Sequence, residues 1–376
     1  MSDLVRRIDA AALERFCALV FESLGLAADD AAVSARVLVA ADLRSIPSHG
    51  VARLNRYVSG LKTGLMVPGA CPEVIRETPN SVVLDAHGAM GAPVSLRAMR
   101  TVIDKAVAAG SAFGCVRDSN HFGIAGYYAM LALDNDMLGI AMTNTAALAV
   151  PTFGRRAMFG TNPLAFAAPA SEERAFVLDM STTVVTRGKV EVRKRTHTPL
   201  PSGWAVDSDG RSATDADRVL DDMQRQAGGG ILPLGGASEE SGSHKGYGLA
   251  IMVDILCALL AGAPFGPEVY DTATSSARVS HFFGALRIDA FREPQAFRRD
   301  MDRLLAGLRR TPPAEGADRV FYAGLKEFEQ EADARRRGVP LTDETYRSLQ
   351  DIARVAGVQM PAETVNTSRG RDGAHR

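Results

Sequence analysis

Apolar positions recur with two different periods along this chain, and the change of period divides it. Over roughly the first 65 residues the period is helical. Leu13, Phe16, Val20, Phe21 and Leu24 fall on one face at helical spacing; Asp9 is placed to cap that helix and Gly25 closes it. Asp29 or Asp30 starts a second helix, with Val33, Val37, Leu38 and Leu43 inward. Ser48, after Pro47, opens a third, SHGVARLNRYVSGLKTG, on which His49, Arg53 and Tyr57 share one face. From Ser81 short apolar runs alternate with helical stretches. Strands are predicted over 81–85, 112–116, 138–142, 164–168 and 175–178, and helices over 94–109 and 127–135. This alternation predicts an α/β body with a mostly parallel or mixed sheet. Gly/Ser/Asp-rich stretches near 207–217 and 227–243 read as surface loops, and 245–261 as an apolar helix. Further helices follow over 294–309, 325–337 and 342–356, the last capped by Thr342, with Pro312-Pro313 as a linker. The expected layout is an N-terminal helical part (1–78), a central mixed-sheet α/β domain (79–293) and C-terminal helices (294–360) packing with the N-terminal part. A polar, disordered tail is expected over 361–376.

Composition narrows the class. With 46% hydrophobic and 23% charged residues over 376 positions, disordered, collagen-like and coiled-coil chains are excluded. A formal net charge of −1 gives no overall field for nucleic acid or an anionic membrane, so neither is expected as a partner. The longest apolar run, 249–265, is short for a membrane span and holds Asp254, a costly carboxylate at mid-bilayer. It reads as a buried helix. The start, MSDLVRRIDAAALERF, has acids where a signal peptide needs an apolar run. Cys17, Cys71, Cys115 and Cys257 are scattered with no CxxC pair, which rules out zinc-ribbon and thioredoxin readings. They read as buried small hydrophobes of a reducing compartment, and the expected location is cytoplasmic.

Several polar groups stand out against this frame. Arg53, one turn from His49 and flanked by Ser48 and Tyr57, suits holding a carboxylate while the imidazole serves an adjacent oxygen; alternatively Arg53 and Tyr57 are solvated and His49 caps a helix. His121, in Ser119-Asn120-His121-Phe122-Gly123, lies between a strand end and a helix start, a natural acid/base position or else a turn histidine satisfied by its own loop. Thr143-Asn144-Thr145, Gly160-Thr161-Asn162 and Asp179-Met180-Ser181 each flank an apolar strand and could together hold the pyrophosphate or ribose of one long ligand; each alone is ordinary turn chemistry. Lys245, followed by Gly246 at a helix start, is an anion site or a surface lysine. The segment from Asp85 to Gly91 lacks the second glycine of the GxGxxG dinucleotide fingerprint, and His87, His197 and His281 have no metal-type spacing, so no metal is expected.

Taken together, DLRSIPSHGVARLNRYVSGLKTG, SNHFGIAGYYA, GIAMTNTAALAVP, FGTNPLAFAAP, VLDMSTTVVTRGKVE, PSGWAVDSDGRSATD, GGILPLGG, SHKGYGLAIMVDIL and RRRGVPLTDETYRSL resemble, in order and over roughly residues 9–357, the malate/L-lactate dehydrogenase family with a non-Rossmann fold. That family includes ureidoglycolate, L-sulfolactate and 2,3-diketogulonate oxidoreductases and Δ1-piperideine-2-carboxylate reductase. The resemblance implies a central mixed-sheet cofactor domain and a homodimer. It also implies NAD or NADP as cofactor, and hydride transfer to or from a small 2-oxo or 2-hydroxy acid or a cyclic imino acid. It places proton transfer on His49 or His121, substrate binding on Ser48, Arg53 and Tyr57, and cofactor contacts on His121, Thr145, Gly160, Thr161, Asp179, Met180, Ser181 and Lys245. Two departures stand against it. The family's Pro-Gly-Glu segment here reads Phe321-Tyr322-Ala323-Gly324-Leu325-Lys326, and Ala147 stands where proline is usual.

The competing expectations are a non-catalytic nucleotide- or acid-binding paralogue acting as sensor or scaffold, and a metal-dependent hydrolase. A sensor needs no proton donor, yet His49, His121 and Arg53 are all present.

Overall fold

The computed structural model describes residues 6–272 and 276–364. The chain divides into two compact units, one built from its two ends up to Thr63 and from Leu325 on, the other spanning Gly64–Gly324. The second unit therefore takes in 64–78 and 294–324, which the sequence reading grouped with the helical ends.

In the first unit β1 (Arg6–Ile8) leads to α1 (Ala10–Ser23), where the Asp9 carboxylate accepts from the Ala12 N–H as expected of a cap. Leu13, Phe16, Cys17, Val20 and Phe21 are its buried face. In α2 (Ala28–Leu43) Asp29 and Asp30 fill the first turn, where they complement the helix dipole, rather than preceding it. The predicted third helix is broken. Two 3₁₀ turns, Pro47–His49 and Val51–Arg53, flank an extended Gly50, and α3 runs only over Leu54–Lys62. His49 and Tyr57 therefore do not share a helix face.

The second unit opens with β2 (Glu73–Thr78), β3 (Ser81–Asp85), α4 (Gly91–Ala109), β4 (Ser111–Ser119), α5 (Ala125–Met130) and β5 (Met137–Thr143). It continues with β6 (Leu164–Ala168), β7 (Phe176–Met180), α6 (Arg187–Arg195), β8 (Ala205–Val206), α7 (Ala216–Arg225) and β9 (Gly230–Ile231). Next come α8 (Ser243–Asp254), which runs on as a π-helical segment Ile255–Leu259, then β10 (Val279–Arg287) and α9 (Pro294–Arg310). The first unit resumes with α10 (Leu325–Arg337), β11 (Val339–Leu341) and α11 (Asp343–Ala356), capped by Thr342 as predicted.

A seven-stranded mixed sheet, in the order β2-β3-β4-β10-β5-β6-β7, forms the core of the second unit. Among the described residues β3 and β4 run parallel and every other neighbouring pair runs antiparallel. The sheet is thus mixed, with far less parallel pairing than strand–helix alternation implies. Several elements were not visible in the pattern, among them β2, α6 and the short strands β1, β8, β9 and β11, and two more bear on the core. Central β10 is buried along most of its length, so its sequence VSHFFGALR lacks the alternation that marks a half-exposed strand. The stretch read as loop near 207–217 runs into α7, capped by Asp215, whose Val219, Leu220 and Met223 share a small separate core with Val190 of α6 and Ile231 of β9.

The topology has one consequence for function. Alternating directions put the end of β4, the start of β10, the end of β5, the start of β6 and the end of β7 along a single edge of the sheet. The polar clusters at 119–121, 143–145, 160–162 and 179–181 all lie there.

Antiparallel β1 and β11 tie the two ends of the first unit together. Arg44 is buried there, pairing with Glu331 at 3.0 Å and lying 4.5 Å from the centroid of the Phe328 ring. The expected loose tail is docked at its start: the Thr364 N–H donates to Arg7 O at 2.8 Å and Glu363 pairs with Arg6. Positions 365–376 of that tail lie outside the described residues. No helix is long and apolar enough to cross a membrane among the described residues.

Candidate active site

In the helical unit, Ser48, His49 and Arg53 are brought together by the two 3₁₀ turns rather than by a helix. Arg53 Nε donates to Ser48 O at 2.6 Å, and Ser48 Oγ lies 3.0 Å from His49 Nδ1. Burial, with the Arg53 charge as the second cause, lowers the His49 ring to about 4, so it is neutral at pH 7. Tyr57 is buried in α3 with its ring centroid 6.2 Å from that of Phe21, and burial pushes its phenol up to about 12. Behind these turns sits Asp42, a buried carboxylate that sequence reading passed over. Its Oδ2 accepts the Val51 N–H at 2.7 Å, and any Cβ at Gly50 would overlap the carboxylate. Burial raises Asp42 from its ordinary 3.8 to about 7, against the opposing pull of that N–H. The signal available in the sequence was an acid among the apolar positions of α2.

On the sheet edge, the His121 loop is held from three sides. Asn120 Nδ2 donates to Gly88 O and Ala89 O, both at 2.9 Å, and Gly91 presses against Asn120 O so closely that no Cβ fits. Phe122, the next residue, stacks on His281 with ring centroids 4.5 Å apart and an interplanar angle of 4°. The Gly123 N–H donates to His121 Nδ1 at 3.3 Å, so Nδ1 accepts and the ring's own proton belongs on Nε2.

His281 itself was dismissed in the sequence for lack of metal spacing. In the fold it is fully buried on β10, and burial lowers it to about 3. Its Nδ1 lies 2.8 Å from Thr143 Oγ1 and its Nε2 2.9 Å from Ser119 Oγ. Thr143 has one hydroxyl proton and two carbonyl acceptors, Asn144 O at 2.9 Å and Ser280 O at 3.0 Å. The Ser119 hydroxyl likewise has a carbonyl acceptor, Asn120 O at 3.5 Å, so both ring nitrogens are partnered in either tautomer. Strands β4, β10 and β5 are joined through one neutral imidazole.

The three polar clusters expected to form one ligand site do meet. Thr161 N–H donates to Thr145 Oγ1 at 2.9 Å, the two hydroxyl oxygens lie 3.3 Å apart, and a Cβ at Gly160 would overlap Thr145. Thr182 N–H donates to Thr161 O at 2.9 Å, bringing in the end of β7. The N–H groups of Thr145, Thr161 and Thr182 are thus used within the protein, and it is the Thr145 and Thr161 hydroxyls, side by side where backbone approaches backbone, that fit the ribose or phosphate of a nicotinamide dinucleotide. Behind them the Asn162 Oδ1 accepts the Thr145 N–H at 3.1 Å, and Asn162 Nδ2 donates to Ala250 O at 3.0 Å.

The remaining candidates are more dispersed. Asp179 Oδ2 accepts the Gly126 N–H at 2.8 Å in the first turn of α5, and Ser181 Oγ donates to Thr183 O at 3.2 Å, so both also do local structural work. Met180 ends β7, half-buried, in register with Leu164. Lys245 is exposed in the first turn of α8, and among the described hydrogen bonds none joins it to the threonine cluster. Cys71 is exposed, unlike the other three cysteines, which are buried; all four are free. The fold also brings Asp85, His87 and Asp118 within 4.8 Å of one another, which their spacing did not foretell. Arg117 pairs with Asp85 at 2.8 Å and Arg278 with Asp118 at 3.3 Å, so cations already neutralise both carboxylates. Of the altered family segment, Gly324 is the part whose geometry is demanding: its φ is +93° and a Cβ there would crowd Val177 of β7.

Residues 8–350 match the sequence model of the family described as malate/L-lactate dehydrogenase. The malate dehydrogenase of Pyrococcus abyssi is 38% identical over 353 residues, 94% of this chain and 96% of that protein. The Δ1-pyrroline-2-carboxylate/Δ1-piperideine-2-carboxylate reductase of Pseudomonas putida is 29% identical, covering 93% of this chain and 97% of that one. Among solved structures, the malate dehydrogenase of Entamoeba histolytica superposes with a TM-score of 0.92 at 31% identity, covering 96% of this chain and all of that one.

Two stability measurements check the geometry. Asp42 binds a proton in the folded chain that the unfolded chain releases between pH ~4 and ~7, so its burial costs stability as pH rises through that window. Asp42→Asn keeps an acceptor for the Val51 N–H, and urea denaturation is expected to show the variant gaining on the wild type by about 1–4 kcal/mol between pH 4 and pH 8. A difference independent of pH would contradict this. Gly160→Ala is expected to destabilise by about 1–3 kcal/mol, because Thr145 has to move to admit the methyl group.

Proposed function

The chain belongs to the malate/L-lactate dehydrogenase family, and from this we propose that it moves a hydride between NAD or NADP and a small 2-oxo or 2-hydroxy acid, with a cyclic imino acid as the other substrate class. It is an oxidoreductase acting on CH–OH or C=N groups, as its relatives are. One observation carries the finer reading: the sheet gathers the His121 loop and three polar strand ends on one edge.

The nicotinamide ring, when bound, supplies or takes the hydride. Thr145, Thr161 and Ser181 would hold the dinucleotide through their hydroxyls, Gly160 leaving room beside them, with Asp179, Met180 and Lys245 as flanking contacts. Arg53 holds the substrate carboxylate, and Ser48 and Tyr57 line its place. Neutral His49 is suited to take the proton from a hydroxy acid. A carboxylate docked on Arg53 offsets the guanidinium charge, the smaller of the two causes that lower His49, and so acts in the direction that helps the ring hold that proton. His121, with its proton on Nε2, is the second candidate for proton transfer at the substrate oxygen.

We also propose a homodimer. Ile255, Leu259, Leu260 and Phe265 are 44%, 50%, 59% and 46% exposed on and beyond the π-helical end of α8, an apolar face that a second copy would cover. Four free cysteines agree with a reducing, cytoplasmic setting.

Mixed with NADH or NADPH and a panel of 2-oxo acids and cyclic imino acids, the protein is expected to consume the reduced cofactor, followed by loss of absorbance at its long-wavelength band. Cofactor binding without turnover on any panel member would favour a sensor instead. His49→Ala and His121→Ala are each expected to lower kcat about 10²–10⁴-fold with little change in cofactor affinity. Arg53→Ala is expected mainly to raise substrate KM, about 10- to 100-fold. Wild-type hydride-transfer rates in both histidine variants would refute the proton-transfer assignment. Leu259→Asp combined with Leu260→Asp is expected to halve the mass seen by sedimentation equilibrium; an unchanged mass would place the dimer contact elsewhere.

A further inference from the structure

His281 lies beneath the candidate site without a part in the chemistry assigned to it. It is 0% exposed and both ring nitrogens are in use, so it has no polar atom to offer a ligand. Thr143 stands directly opposite it on β5, so the contact of Nδ1 with that hydroxyl is an ordinary cross-strand pair. The contact of Nε2 with Ser119 is of another kind. Along β4 the register shifts: His281 faces Val116, but Val279 faces Ser119, so β4 carries one extra residue there, and Asp118 has a φ of +50°. The ring reaches Ser119 Oγ, at 2.9 Å, across this interruption of the ladder.

The same ring holds the chain on the far side of His121. Phe122 stacks on His281, with centroids 4.5 Å apart at 4°, and on Tyr128, with centroids 4.9 Å apart at 23°. The Tyr128 hydroxyl donates to Phe122 O. Before His121, Asn120 is tied by its amide to Gly88 O and Ala89 O. His121 is therefore a half-buried residue between two buried, anchored neighbours. The place of its imidazole is set by those anchors, and a displacement of about 1 Å at a reacting group can cost about 10²-fold in rate. The threonine cradle has ties of its own, since Asn162 holds the Thr145 N–H and Thr161 reaches the Thr145 hydroxyl. A change at His281 is thus felt first in the His121 loop.

We propose that His281 is a positioning residue for His121, acting through Ser119 and through the stacked ring of Phe122. The inference rests on the reading of His121 as a proton-transfer group. Phenylalanine at 281 keeps a flat ring against Phe122 and releases Ser119. The Ser119 and Thr143 hydroxyls then still have carbonyl acceptors, so neither is left unpaired. Leucine at 122 does the reverse: it removes the stack and leaves both contacts of the imidazole in place.

The test is a double-mutant cycle on kcat. His281→Phe and Phe122→Leu are each made alone and on top of His121→Ala, with NADH and NADPH binding titrated by fluorescence. Each single variant is expected to lower kcat at least about tenfold and to leave the cofactor dissociation constant within about threefold. Added to His121→Ala, each is expected to lower kcat further by no more than about twofold, because an absent imidazole cannot be misplaced. Should one variant fail to fold, the other carries the cycle. The same factor of loss with and without His121 overturns the proposal, since the ring would then act on the fold or on the cofactor cradle. Wild-type kcat in both variants overturns it as well, and so does failure of both to fold. If His121→Ala alone keeps wild-type kcat, the reading of His121 fails and this inference falls with it, an outcome seen before the cycle begins and distinct from the others.

Discussion

A buried imidazole needs a partner on each ring nitrogen, and His281 finds them on the two strands beside its own. This requirement organises the functional edge of the sheet. Ser119 and Thr143 are the final residues of β4 and β5, so the same ring that satisfies itself also sets the ends of both strands relative to β10. Everything beyond those ends inherits the placement. On one side the chain continues into Asn120 and His121, with Phe122 laid flat against the imidazole; on the other it continues into Asn144 and Thr145. Because the ring stays neutral far below pH 7, the arrangement carries no charge of its own to disturb neighbouring chemistry.

A buried carboxylate follows comparable logic in the helical unit. Asp42 fixes the turns that carry His49 and Arg53. It sits on the apolar side of a polar segment, where a hydrophobic residue would pack with less cost. It is raised by burial rather than held down by a cation. What it supplies is orientation: the Val51 N–H is pointed in one direction and not another. Polar groups placed beneath a site, satisfied and out of reach of solvent, hold it more rigidly than packing alone can.

Much of this was legible in the sequence, for reasons that can be named. Strands β3 and β6 and helix α10 were marked out by period alone, and the caps Asp9 and Thr342 by residue type. The polar clusters after strands announced themselves because nothing in an apolar pattern explains them. What stayed hidden was long-range. β10 is apolar on both faces, so it carried no alternation, and without it the sheet order and the role of His281 were invisible. The helix expected from Ser48 failed at Gly50, because the carboxylate of Asp42 occupies the space and holds the next N–H. Asp42 is an acid in apolar surroundings, but its partner, the Val51 N–H, lies on another element, which spacing does not report.

One feature of the chain's layout reaches beyond the folded state. The helical unit is assembled from both ends, and Arg7 Nη1 donates to Gly338 O, a partner 331 positions away. During synthesis α1 and α2 leave the ribosome before the sheet-bearing segment, with their apolar faces ready, yet α10, β11 and α11 emerge after it. The sheet-bearing segment is complete before the helical one can be. The early helices must wait, paired only with each other or sheltered by a chaperone, until the later ones have been made. Losing α10, β11 and α11 would therefore damage α1 and α2 as surely as the segment removed.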